Sequence, residues 1–328
     1  MKRSVCLFSI IIVTFILSGC IISKTPTTNE VTMPFGEQLT FSVKVFPTGT
    51  TYAWTLDGSP LANNGSSYEY TAQGGEHDLS VKASHILGTD TQTWHIIDPI
   101  DVLLSSMISI PGGTFMMGNA NNSVEQPVHA VTLQSFEIGA YEVTQAQYVA
   151  IMGTNPSHFQ EVNDYLGTEN NPVEQISWYE AREFCTKLSA QTGRTFTLPS
   201  ESQWEYACRA GSTGKWSFGD WEALLRIYAW YAASSGWQTH PVGRKLPNAW
   251  GLYDMYGNVV ELCLDSWHDS YTGAPTDGSA WEPETGTDRV YRGGGWSSYA
   301  DGCQSDSRSY GNPDYGDNVL GFRVVALP

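Results

Sequence analysis

Between two phrases that read as framework, Arg292-Gly293-Gly294-Gly295-Trp296 and Leu320-Gly321-Phe322-Arg323, the chain has little capacity for regular structure. Of the 22 residues from Ser297 to Asn318, 17 are Ser, Tyr, Asp, Gly or Asn, and no β-branched residue occurs before Val319. Strands favour β-branched and aromatic side chains. Helix interiors disfavour Gly, Ser, Asp and Asn. The stretch is therefore expected to be loop, with neither strand nor helix, and its large side chains are Tyr299, Tyr310 and Tyr315. Composition alone fits an ordinary polar loop. It also fits a recognition surface, because tyrosine brings stiff, amphipathic contact area while Ser, Gly and Asn bring adaptable hydrogen bonds.

At 328 residues and 41% hydrophobic, the chain can bury two or three cores. Its net charge of −17 repels phosphate backbones and argues against nucleic-acid partners. The start, Lys2-Arg3 followed by the apolar run Cys6 to Leu17, is too short for a membrane span and reads as a targeting leader. It ends in Leu17-Ser18-Gly19-Cys20, which resembles a bacterial lipobox. The resemblance implies cleavage before Cys20, acylation of that residue, and a body anchored by lipid to the cell envelope, on an outer membrane and facing outward. The other reading is a plain secretory leader with an incidental cysteine. Cys185, Cys208, Cys263 and Cys303 remain, an even number with three pairings if all oxidise. No Cys/His spacing fits a structural zinc site.

Four segments follow: a leader over 1–19, a lipidated tether over 20–32, a small all-β domain over 33–104, and a larger domain over 105–328. In the small domain Phe41, Val43 and Val45 alternate, as do Tyr52, Trp54 and Leu56, and Leu79, Val81 and Ala83. Period two marks half-buried strands. The run Tyr52 to Gly58 resembles the central strand of PKD or immunoglobulin-like modules, implying a sandwich that acts as spacer. In the larger domain, Thr144 to Met152 reads as a helix. Ser177-x-x-Glu180 and Ser200-x-x-Gln203 are capping boxes, opening one helix to about Gln191 with Gly193 beyond it, and another that stops near Gly211. With short strands and many turns between them, the texture is α+β.

A series of ordered phrases runs through this domain: Ile110-Pro111-Gly112-Gly113-Thr114-Phe115-Met116-Met117-Gly118, Asn171-Pro172-Val173, Leu198-Pro199-Ser200-Glu201, Trp204-Glu205-Tyr206-Ala207, and Gly251-Leu252-Tyr253-Asp254-Met255 with Gly257-Asn258-Val259-Val260-Glu261. With the two framework phrases above, they resemble the formylglycine-generating-enzyme (sulfatase-modifying factor) family over about Ile108 to Val325. The resemblance implies a variant of the C-type lectin fold. The family's oxidase holds copper(I) with two cysteines. Counting forward from Gly293-Gly294, these fall on Ser298 and Cys303, and a hydroxyl cannot stand in for a thiolate at copper(I). Counting back from Leu320, the segment is shorter than in the oxidase, which leaves the Cys303 assignment open. Cys303 is expected to pair with Cys208 or to remain a small buried thiol. A calcium site carried over from the family would use Asp254, Gly257, Val259 and Glu261, whose hard oxygens suit that ion. The bland alternative is a turn capped by Asp254.

The variable proteins of diversity-generating retroelements share this scaffold, and the segment from about 290 to 322 resembles their rewritten region in place and in residue spectrum. That resemblance implies a ligand-facing set of Ser297, Ser298, Tyr299, Asp301, Gly302, Ser305, Asp306, Ser309, Tyr310, Asn312, Asp314, Tyr315 and Asp317. Ser307 and Arg308 are expected to face inward, with Arg308 on a buried carboxylate. The implied function is non-catalytic capture of an external ligand, a protein rather than a glycan. The alternatives are an enzyme related to the copper-dependent oxidase, and a passive structural lipoprotein of the envelope. His129, His158, His240 and His268 read as structural.

Overall fold

The structure is a computed structural model that describes residues 20–33, 37–46, 49–72, 75–85, 88–160, 167–281 and 288–327. The leader expected over 1–19 lies outside the described residues. The chain divides into two compact units between Val102 and Leu103.

The first unit is all-β. Strands β1 (Cys20–Thr25), β3 (Gln38–Phe46) and β6 (Ser67–Thr71) form one sheet in the order β1-β3-β6. A second sheet takes the order β2-β8-β7-β4-β5, from β2 (Glu30–Thr32), β4 (Thr51–Leu56), β5 (Ser59–Pro60), β7 (Glu76–His85) and β8 (Gly88–Ile97). Alternation places Phe41 and Val43 of one sheet, and Leu79, Val81 and Trp94 of the other, in a shared core. Trp54 and Trp94 stack there at 5.9 Å. One expectation is corrected. Residues 20–32 are not a free tether, because Cys20 pairs with Phe46 along an antiparallel ladder and Val31 pairs in parallel with Ile96. Their polarity suits edge strands, whose ladder bonds come from the neighbour rather than from local pattern.

The second unit is α+β. Strands β9 (Met107–Ile110), β12 (Phe136–Gly139), β13 (Phe196–Thr197) and β18 (Val325–Ala326) make a sheet in the order β13-β18-β12-β9. β10 (Gly113–Met117) pairs with β11 (His129–Leu133) as a separate ribbon. The sheet beneath the site has the order β16-β15-β14-β17, from β14 (Val260–Ser266), β15 (Arg289–Arg292), β16 (Arg308–Gly311) and β17 (Leu320–Gly321). Helices Gln145–Met152, Trp178–Thr192 and Glu201–Arg209 begin at Thr144, Ser177 and Ser200, each in a reciprocal capping box. Gly153 and Gly193 end the first two in the left-handed conformation that glycine adopts without penalty. The framework phrases bury themselves: Trp204 and Phe322 are fully enclosed, with Leu320 and Val324 beside them.

Candidate functional site

The strand that opens the site, β15, is buried at all four positions, and its last residue is Arg292. A buried guanidinium must find acceptors. Arg292 meets the Glu205 carboxylate and donates to three carbonyls of the segment above it, those of Ser305, Asp306 and Ser307, at 3.2, 2.7 and 2.6 Å. Other framework groups repeat the pattern. The indole N–H of Trp216 donates to the Cys303 carbonyl at 2.9 Å, and that of Trp296 to the Asn318 carbonyl at 2.8 Å. The backbone N–H groups of Ala232, Trp178 and Gln175 donate to the carbonyls of Ser298, Pro313 and Asp317. The scaffold therefore grips residues 298–318 chiefly by main-chain oxygen, which is present whatever side chain occupies the position.

Side chains of the segment add to this grip. Arg308 reaches down as expected and meets both oxygens of Glu201 at 2.8 and 2.9 Å. The Ser298 hydroxyl accepts the backbone N–H of Gly295 at 2.9 Å, so it also caps a turn. The expectation of no strand in this stretch is corrected, since β16 pairs antiparallel with β15 from Arg308 opposite Arg292 to Gly311 opposite Arg289. Its register is supplied by β15 and the Arg308 anchor, and Tyr310 stacks on Trp267 with centroids 4.4 Å apart. A ladder imposed by a neighbour overrides weak intrinsic propensity.

Most of the expected ligand-facing residues lie at the surface. Tyr299, Tyr310 and Tyr315 are 73, 51 and 58% exposed. Asp301, Ser309, Asn312 and Asp314 are exposed, and Ser297, Ser298, Gly302 and Asp317 are half-buried. A cavity of about 420 Å³ brings together Ser298, Gly302, Ser309, Tyr310, Tyr315 and Asp317, with half-buried Ser307 also on its wall. A second, of about 430 Å³, takes Tyr299 and Asp301 together with Trp237 and Glu222. Ser297, Asn312 and Asp314 line neither cavity. Two assignments are corrected. Ser305 is fully buried, and Asp306 is buried with its carboxylate turned to Arg209 at 3.5 Å. Both lie below the surface because Arg292 draws their carbonyls inward. Trp237 and Glu222 were missed because they lie far along the chain, Glu222 at the start of a short helical turn, and only the fold brings them beside residues 299–301.

The expected metal groups do not fit. Glu261 has one oxygen on Arg323 at 2.6 Å, and the other accepts from both Arg323 and Trp204, so its charge is already met by a buried guanidinium. Gly257 lets the backbone approach Trp230, whose carbonyl would lie 2.3 Å from an added Cβ. The Val259 N–H donates to Glu142. Asp254 keeps one side-chain oxygen without a hydrogen-bond partner, and burial pushes its carboxyl up to about 6. The Arg323 guanidinium already sits on both Glu261 oxygens, where a calcium ion would have to bind. Copper(I) fits no better: Ser298 offers a hydroxyl, and Cys303 is fully buried with its thiol pushed up by burial to about 12. Cys185, Cys208, Cys263 and Cys303 are all free and buried, so of the two states expected for Cys303 the structure has the small buried thiol and not the pairing with Cys208.

These features define a C-type lectin-like fold of the formylglycine-generating-enzyme type. Residues 98–327 match the sulfatase-modifying factor enzyme 1-like domain, and the chain belongs to that family. It is similar in structure to Treponema denticola variable protein 1, with a TM-score of 0.63 and 34% identity over 68% of this chain and 95% of that one. In sequence it is similar to the formylglycine-generating enzyme of Streptomyces coelicolor, 28% identical over 66% of this chain and 88% of that protein. It is also similar to the serine/threonine-protein kinase Pkn1 of Chlamydia trachomatis, 30% identical over 68% of this chain, and it spans only 38% of that relative's length. One scaffold thus serves both an enzyme and a protein named for its variability.

Proposed function

We propose that this chain is a binding protein of the bacterial envelope, anchored through lipid on Cys20 and facing outward, that captures an external protein ligand through residues 297–318 without catalysing a reaction. The observation that carries the reading is the main-chain grip on this segment. Framework donors hold the carbonyls of Ser298, Cys303, Ser305, Asp306, Ser307, Pro313, Asp317 and Asn318. Tyr299, Tyr310 and Tyr315 stand out to solvent above them. Such a segment can exchange its exposed side chains without losing its path, as a diversified site requires. Aromatic anchors among small polar residues suit protein surfaces. The likeness to a protein named as variable supports the same reading. The buried, protonated thiol of Cys303 speaks against retained oxidase chemistry.

Comparison of this gene among isolates tests the proposal. The expected pattern is replacement confined to the exposed positions of 297–318, with Arg292, Trp216, Trp296 and Arg308 unchanged. A neighbouring reverse transcriptase and an imperfect repeat of the segment encoding 290–322 are expected beside it. Replacements spread evenly over the scaffold, with no such repeat, would contradict it.

A further inference from the structure

The second cavity differs in chemistry from the first. Its walls are the aromatic rings of Tyr231, Trp237 and Tyr299, and its charged residues are Glu222 and Asp301; no lysine, arginine or histidine lines it. Trp237 is 59% exposed and Tyr299 73%, so two large rings face solvent beside two exposed carboxylates. Neither carboxylate is ion-paired with a cation among the described residues. The walls are joined firmly. Ala232 donates its N–H to the Ser298 carbonyl at 2.9 Å, and the Ser235 hydroxyl donates to the Trp296 carbonyl at 2.6 Å. The edge of Trp296 supports Trp237, their ring centroids 6.2 Å apart and nearly perpendicular. The framework loop 231–237 and the variable residues 299–301 therefore form one built recess.

Aromatic faces attract cations through the ring quadrupole, and a guanidinium stacks on them as well. Carboxylates beside the faces add charge-assisted hydrogen bonds. The chain's net charge of −17 draws cations toward the surface before contact. An anionic or purely apolar group would face unpaired carboxylates with nothing to neutralise them. We infer that the recess formed by Glu222, Tyr231, Trp237, Tyr299 and Asp301 receives a basic side chain, an arginine or lysine presented by the protein ligand. The inference rests on the binding reading above and adds the ligand's charge. It also gives the fixed residues Glu222 and Trp237 a share in recognition.

The test titrates the full chain with acetyl-arginine-amide, acetyl-lysine-amide and the neutral isostere acetyl-citrulline-amide, followed by NMR line shifts at low and high salt. The arginine probe is expected to bind at least tenfold more tightly than the citrulline probe, and to weaken with salt. Trp237→Ala and Glu222→Gln should each weaken it at least fivefold with an unchanged thermal midpoint, since both side chains are exposed. Tyr310→Ala with Tyr315→Ala, which alters the first cavity, should leave it unchanged. Equal binding of the arginine and citrulline probes, or indifference to Trp237→Ala, overturns the inference. Sequence variants scattered over the scaffold would instead overturn the binding reading, so the two failures are distinguishable.

Discussion

Arg308 and Glu201 meet fork to fork, Nε on one carboxylate oxygen at 2.8 Å and Nη2 on the other at 2.9 Å, with both residues buried. The pair ties the middle of the segment 297–318 to the first turn of the helix Glu201–Arg209. Arg308 also donates to the carbonyls of Val124 and His268, and its guanidinium lies over Trp267, the ring on which Tyr310 stacks.

Breaking this pair leaves the buried Glu201 carboxylate with only Arg292, at 3.7 Å, and the Tyr271 hydroxyl, at 2.9 Å, to balance it. Arg308→Ala should destabilise the unit by about 3–5 kcal/mol. At roughly 2–4 °C per kcal/mol for a unit of this size, the midpoint should fall by on the order of 10 °C. Arg308→Lys should recover only part of the loss, because an ammonium cannot reproduce the fork. Thermal unfolding of the two variants checks both outcomes.

Glycines within the segment should divide by their surroundings. A Cβ on Gly316 would lie 2.7 Å from the Gln175 carbonyl, and one on Gly311 would lie 2.8 Å from the Tyr291 ring. At Gly302 the nearest atom is 3.5 Å away. Gly302→Ala should leave the unfolding midpoint nearly unchanged, while Gly316→Ala should lower it clearly, by about 1–3 kcal/mol of overpacking.

Stability should fall as pH rises through neutrality. Burial first, and then the Asp306 carboxylate, push Glu125 up from 4.5 to about 7; burial likewise pushes Asp265 to about 7. These groups hold their protons more tightly folded than unfolded. Their stabilisation is complete below the ordinary carboxylate range and is lost as pH passes through about 7. Glu125→Gln should flatten the slope of midpoint against pH between 5 and 7.5, measured by calorimetry.

The thiols should be silent. Cys185, Cys208, Cys263 and Cys303 are buried and free, and burial raises all four. The reactive form is the thiolate. A brief iodoacetamide pulse followed by peptide mapping should find all four unmodified in the folded chain and modified in guanidinium. Rapid labelling of Cys303 in the folded chain would reopen the oxidase reading.

Local chemistry was legible in the sequence where it acts over a few residues. Ser177 and Ser200 announce their helices because each capping box closes within four residues. Phe41 and Val43 announce a strand because burial alternates with the pleat. The tyrosines were legible as surface because the residues around them in 297–318 are mostly small and polar, with little apolar surface to cover a ring. Ser305 and Asp306 were misread because the group that buries their backbone, Arg292, lies on another strand. Strand β16 was missed for the same kind of reason, its ladder being a property of β15. The calcium set follows a family motif, but the Arg323 pairing that occupies Glu261 is a contact across 62 residues.

A binding site of this kind requires that the exposed patch can be exchanged without disturbing the scaffold beneath it. Replacing Tyr299, Asp301, Ser309, Tyr310, Asn312, Asp314 and Tyr315 together by alanine and serine is the most direct test, read as a thermal unfolding curve. Exposed substitutions usually change stability by no more than about 0.5 kcal/mol each, of either sign. A single cooperative transition within roughly 5 °C of the parent is therefore expected, at about 2–4 °C per kcal/mol. A loss as large as that of Arg308→Ala, or no cooperative transition, would show that these side chains hold the fold together and would contradict the account.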